Sequence, residues 1–363
     1  MSGMTGDLQN DLLKIQINSR GGVSSIIDLV TGKELLASES NQLLLWEDEP
    51  NNWGAWDINH FYRETTPGTA TLKQTLSLWD QQSGYNRLVQ ELSIGASVIT
   101  QTVELYPGER IIRISHEVNW MEKHKMLRVG FAPEIHCTHA SCGIQMGYVK
   151  RSTKAQNAWE AARFEFPAQD YIDLSDAEHG FALICKDKYG YSLQENRMEM
   201  TLLRSPADVD PNADIGLQHY SYAFYCHPKP FERAQVAETA EAFGIRPLIL
   251  DYPEDSPSFA SKEKLRTASG YDLLPGNSLF STTEHKLLIK TIKPSESGEG
   301  IVLRLFEPLG RTATDLLISQ LPIRKLIKCN LLEEPVIELD PEQAIEAGPF
   351  EIITLLLLPK ESS

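Results

Sequence analysis

Between Arg110 and Trp120 every second residue belongs on one side of an extended chain: Ile112, Ile114, His116, Val118 and Trp120. A period of two suits a strand with one buried face and does not suit a helix, whose faces repeat every 3.6 residues. The pattern recurs along the chain. Leu13, Ile15 and Ile17 alternate within Asp11 to Asn18, Gly21-Gly22 turns the chain, Val23 to Leu29 follows, and Thr31-Gly32-Lys33 turns it again. That is the grammar of a β-meander. Ser97 to Leu105 closes on Tyr106-Pro107-Gly108-Glu109, and Arg197 to Leu203 and His219 to Cys226 continue the series. Helical spacing is scarce; Arg233 to Phe243, with Val236, Ala240 and Phe243 on one side, is the best helix. Many short strands without a βαβ rhythm predict an all-β chain built on a large antiparallel sandwich.

A length of 363 residues suits two domains at roughly 150 residues each. The polar, Pro-rich run Asp251-Tyr252-Pro253-Glu254-Asp255-Ser256-Pro257 is unfit for a central strand. The expected division is a large β-domain over 1–250, a linker over 251–265 and a small C-terminal β-domain over 266–363. The small domain draws its strands from Lys286 to Thr291, Ile301 to Phe306, Val336 to Leu339 and Phe350 to Leu358. Charge and cysteine usage then remove whole classes of function. A net charge of −16 repels a phosphate backbone and an anionic membrane. Five cysteines are odd in number and sparse, which argues against a disulfide framework and for a reducing, cytoplasmic compartment. No apolar run reaches the roughly 18 residues of a membrane span, and the N-terminal residues lack the pattern of a signal peptide.

Four groups of residues invite a chemical reading. His136, Cys137, His139 and Cys142 have zinc-ligating side chains, but a single short strand cannot wrap a tetrahedron, so no metal is expected there. In Trp53-Gly54-Ala55-Trp56-Asp57 the indoles of Trp53 and Trp56 can offer flat faces to sugar C–H bonds while Asp57 accepts from hydroxyls. The competing and more frequent role of such tryptophans is to plug the core. Arg204, at the end of a strand, offers a rigid fork of donors suited to vicinal hydroxyls or a carboxylate, or else a salt bridge to the Asp208–Asp214 loop. That acidic loop lacks the spacing of an EF-hand. There is no GxSxG elbow, P-loop or strand-coupled GxGxxG.

Four longer blocks carry more information than any of these: WMEKHKMLRV at 120–129, GYVKRSTKAQNAWEAARFEF at 147–166, DLSDAEHGFALICKDKYGYS at 173–192 and LLRSPADVDPNADIGLQHYSYAFYCHP at 202–228. With Trp53 to Ile58 upstream, their order and spacing resemble the C-terminal half of glycoside hydrolase family 38 α-mannosidases, cytosolic and bacterial branch. The resemblance implies a galactose-mutarotase-like supersandwich followed by a small β-sandwich. It implies retaining hydrolysis of α-mannosides in the intact enzyme, with zinc and the catalytic carboxylates on an N-terminal catalytic domain or subunit. The family's His-x-Asp metal pair has no counterpart here, so no catalytic residue, metal ligand or cofactor is assigned to this chain, and the isolated chain is expected to be inactive.

Under the same resemblance Arg204 reaches toward the sugar pocket and Trp53 and Asp57 line the face that meets the catalytic domain. Trp159 and Phe164 are expected in the core and Arg163 in a buried or half-buried ion pair; Glu333 and Glu334 are expected to be solvated. A homo-oligomer is compatible with the resemblance. The alternatives are a stand-alone carbohydrate-binding or assembly module, and a mutarotase-like sugar epimerase whose acid and base would come from His116, His179 or Glu165.

Overall fold

The computed structural model describes residues 6–50, 52–80, 85–206, 209–245, 265–266, 272–273 and 278–360. Antiparallel sheets dominate, as the alternation predicts. The chain divides into two compact units, Met1–Ile144 with Val149–Ile245, and Gln145–Tyr148 with Arg246–Ser363. The expected linker at 251–265 lies, apart from Leu265, outside the described residues.

The largest sheet has nine strands in the order Gly147–Ser152, His139–Ile144, Asp170–Ser175, Gly180–Cys185, Gly216–His227, Ile111–Trp120, Ser97–Leu105, Tyr85–Ile94 and Thr71–Asp80. A six-stranded sheet runs Phe166–Pro167, Gly190–Gln194, Arg197–Ser205, Lys125–Phe131, Gln42–Glu47 and Gly68–Thr69. The N-terminal meander forms a third sheet from Asp7–Gln9, Leu13–Ile17 and Val23–Asp28. Gly21 (φ 78°) and Gly32 (φ 72°) take the left-handed backbone conformations that its two turns require.

Face assignment follows residue parity. Ile112, Ile114, His116, Val118 and Trp120 are all buried, and Ser115, Glu117 and Asn119 between them are exposed. The partner register sets Ile112 opposite Phe224, Ile114 opposite Tyr222 and His116 opposite Tyr220. Side chains from all three sheets join one hydrophobic core. At its centre Phe131 of the six-stranded sheet packs on Phe181, Tyr222 and Phe224 of the nine-stranded sheet, with ring centroids 5.4–6.2 Å apart. Such a sheet-on-sheet core defines a sandwich. The helix Val236–Gly244 packs through Val236 and Ala240, close to where its spacing placed it.

The second unit holds a five-stranded antiparallel sheet in the order Leu288–Pro294, Ile301–Phe306, Ile352–Pro359, Ile323–Cys329 and Pro335–Leu339. Its core gathers Leu303, Leu305, Leu326, Ile353, Leu355 and Leu357. Glu333 departs from its expected solvated role: it pairs with Lys293 at 2.8 Å and accepts the Glu296 N–H. Among the described residues, no helix is long and apolar enough to cross a membrane.

Candidate functional site

The six-stranded sheet builds the base of the site. Strand Lys125–Phe131 lies between Arg197–Ser205 and Gln42–Glu47, and its Met126 faces Arg204 on one side and Trp46 on the other. Asp48 follows directly on the end of its strand, where its N–H donates to His124 O at 2.8 Å and carries the pairing one residue further. Arg204 reaches this corner. Its guanidinium donates to both carboxylate oxygens of Asp48, at 3.0 Å from Nη2 to Oδ1, and also to the main-chain oxygen of Asp57. Asp48 is buried, so this is a two-pronged charged anchor shielded from water. Among the described residues the carboxylate partner of Arg204 is therefore Asp48, and not the acidic loop that follows it in sequence.

The anchored segment turns sharply. Trp56 N and Asp57 N both donate to Trp53 O, at 2.8 and 2.9 Å, with Trp53 at φ 59°. The two indoles meet edge to face at 6.3 Å and are each 69% exposed. The core-plug role is overturned: this loop closes its backbone bonds locally and carries its aromatic area outward. The carboxylate of Asp57 is exposed and accepts the Ile58 N–H. Trp53, Trp56, Asp57 and Arg204 thus come together on one structural feature.

A second anchor holds the far end of the segment. The short helix His60–Glu64 is capped by Asn59, whose side chain accepts from Phe61 N. It buries Tyr62 edge-on against Trp46 at 5.2 Å. Tyr62 Oη donates to Glu165 Oε1 at 2.6 Å, and Arg128 Nη1 donates to Tyr62 Oη at 2.9 Å and to Glu165. Arg128 is wholly buried; it also donates to Ser192 Oγ at 2.8 Å and lies 3.4 Å from Glu199. Burial raises the Tyr62 phenol above its ordinary range despite the pull of Arg128 and with help from Glu165, so the hydroxyl stays a neutral donor. Arg128 is the member of this network that the sequence hid. It stands in an apolar run, Met126-Leu127-Arg128-Val129, and its partners are 37 to 71 positions away.

Other expectations at this face are corrected. Trp159 is 82% exposed on the helical turn Ala158–Ala161, and Arg163 is exposed as well. The buried arginine paired with Glu165 is Arg128, which fills the position expected of Arg163. Phe164 is half-buried. His116 lies in the core with Nε2 2.9 Å from Gln101 Oε1, and burial pushes its pKa down to about 3. His179 sits against Asp176, and Glu165 against Arg128, so the three residues named for an epimerase occupy unrelated surroundings. In the His136–Cys142 segment, Cys142 is buried and His136 and His139 are exposed. Burial pushes the thiols of Cys142 and Cys226 up to about 12. Among the described residues no three His, Cys, Asp or Glu side chains converge as a metal set would.

Fold and site together define a β-sandwich protein with an anchored, outward-facing aromatic loop. The model of the glycosyl hydrolases family 38 C-terminal domain matches residues 8–212, and that of the family 38 C-terminal beta sandwich domain matches residues 286–355. The chain belongs to glycosyl hydrolase family 38, as its C-terminal region. It is 29% identical to human alpha-mannosidase 2C1 over 97% of this chain and 33% of that protein. It is 28% identical to alpha-mannosidase G of Dictyostelium discoideum over 96% of this chain and 32% of that protein. The chain thus spans about a third of the length of these curated relatives. An alpha-mannosidase from Enterococcus faecalis V583 shares the fold, with a TM-score of 0.77 at 16% identity over 98% of this chain and 42% of that one.

Proposed function

We propose that this chain is the part of an α-mannosidase that receives the catalytic domain and completes the edge of its sugar pocket. The observation that carries the reading is the Asp48–Glu64 segment: anchored by Arg204 at one end and Arg128 at the other, it presents Trp53 and Trp56 to solvent. Exposed indoles on a rigid base suit either a sugar face or an apolar patch of a partner. The intact enzyme hydrolyses α-mannosides with retention, its zinc held by the catalytic half. A reducing, cytoplasmic setting fits five cysteines that are all free.

The test is reconstitution. The chain alone should not cleave an aryl α-mannoside; mixed with or fused to a family 38 catalytic half, it should restore turnover. In that complex Trp53→Ala and Trp56→Ala should lower kcat/KM. Turnover by the chain alone, abolished by a substitution within it, would overturn the reading. The exposed tryptophan pair also favours a second reading, direct carbohydrate binding, which calorimetry with mannose and short α-mannosides separates by affinity without turnover.

A further inference from the structure

A cleft in the first unit has an electrostatic character opposite to that of the chain. It encloses about 640 Å³, and its walls bear Arg63, Lys150, Arg151, Lys154 and Arg163 against the carboxylates of Glu160 and Glu195. The chain as a whole carries −16. Lys154 is satisfied by Glu195 at 3.7 Å, and Glu160 accepts from Gln156 N and the Asn157 amide. Arg63 shares Glu165 with the buried Arg128, and its Nε is buried without a hydrogen-bond partner. Among the described residues Lys150, Arg151 and Arg163 form no ion pair. Arg151 is held in place from below: its guanidinium lies 4.6 Å from the centre of the Phe166 ring and donates to Pro167 O at 3.4 Å.

Cations gathered on one wall make a local positive field that favours a bound anion. We propose that this cleft is an oxyanion site, taking a phosphate or carboxylate carried on a sugar-sized molecule. The chemistry fits each part. Arginine forks match two oxygens of a phosphate or carboxylate at once, and Lys150 adds a mobile point charge. Phe164 and Phe166 supply apolar wall for the body of a ring. The volume falls in the range of small-ligand sites. Against a net charge of −16, this local excess of cations is the feature that an anion would single out.

Titration calorimetry on the full chain tests this without any hydrolysis readout, so its outcome is independent of the mannosidase reading. Mannose 6-phosphate and glucuronate should bind with dissociation constants at or below about 1 mM and weaken as salt is raised, and mannose should bind at least tenfold more weakly (about 1.4 kcal/mol). Lys150 and Arg163 are exposed, so Lys150→Ala with Arg163→Ala should leave the unfolding midpoint unchanged and weaken both anions by about tenfold or more. Arg151→Lys keeps the charge and removes the fork, and should weaken binding as well. Lys123→Ala, an exposed cation outside the cleft, should change nothing. The proposal fails if neither anion binds, if the double variant binds them as the parent does, or if mannose binds as tightly. It also fails if small anions are refused while the double variant loses association with a catalytic half, which would make the cleft a docking face for protein.

Discussion

Arg204 Nη2 lies 3.0 Å from Asp48 Oδ1, and the same guanidinium donates to the main-chain oxygen of Asp57. Two residues 156 positions apart thereby fix the root of the loop that displays Trp53 and Trp56. Asp48→Ala would strand a mostly buried guanidinium, and removal of one partner of such a pair costs about 3 kcal/mol. Chemical denaturation of the first unit should show that loss, with Asp48→Asn intermediate because an amide oxygen can still accept.

Trp53→Ala and Trp56→Ala should behave in the opposite way. Both indoles are largely exposed, so each substitution should change unfolding stability by no more than about 0.5 kcal/mol. Binding to a catalytic half, measured by sedimentation or surface plasmon resonance, should weaken severalfold. A large stability loss without a binding loss would return these side chains to a structural role.

Arg128→Met tests the hidden network. The substitution keeps bulk but takes from Glu165 and Glu199 the cation they share, leaving Glu165 to Arg63 and Glu199 to Arg197. The expected loss is about 3–5 kcal/mol, visible as a lowered urea midpoint. Adding Glu165→Gln to the same chain should recover part of it, since the carboxylate that loses its nearer cation is then neutral.

His116 predicts a pH dependence at mild acidity. Its folded pKa is near 3 through burial, whereas the unfolded chain titrates near the ordinary 6.5. Below 6.5 the unfolded state takes up a proton that the folded state refuses, so stability falls as pH falls toward 3. Between pH 6.5 and 5 the slope from this residue approaches about 1.4 kcal/mol per pH unit. His116→Gln should flatten that part of the profile in denaturation curves collected across the range.

Asp315 makes the matching case in the second unit. Burial raises its carboxyl, but the N–H groups of Glu284, Lys286 and Leu287 and the hydroxyl of Thr283 outweigh that and hold it below 3.8. A depressed carboxyl pKa supplies stability that is present above 3.8 and is lost as pH falls through the folded value. Asp315→Ala orphans several donors at once, and about 2 kcal/mol of stability should disappear at neutral pH in thermal unfolding of the second unit.

Strand content was legible residue by residue. Alternation over Arg110 to Trp120 gave the strand Ile111–Trp120 with its buried face correctly chosen, because parity alone decides which side of a pleat a residue occupies. The helix Val236–Gly244 and the glycine turns of the N-terminal meander were readable for the same reason: their causes lie within a few positions of chain. The Trp53–Asp57 segment and Arg204 could each be marked as chemically interesting. Their meeting could not be seen, since it depends on the register of three strands drawn from residues 42–47, 125–131 and 197–205.

Trp159, Arg163 and Arg128 show where local reading stops. Trp159 is apolar and Arg163 charged, yet both are exposed, and the arginine buried beside Glu165 comes from the middle of a hydrophobic strand. The sequence by itself determined that this protein is a stack of antiparallel sheets, through a period set by covalent geometry. Only the tertiary structure decided which charges lie inside and which rings face outward. Burial of a charge depends on partners brought from distant strands, and no periodicity encodes who those partners are.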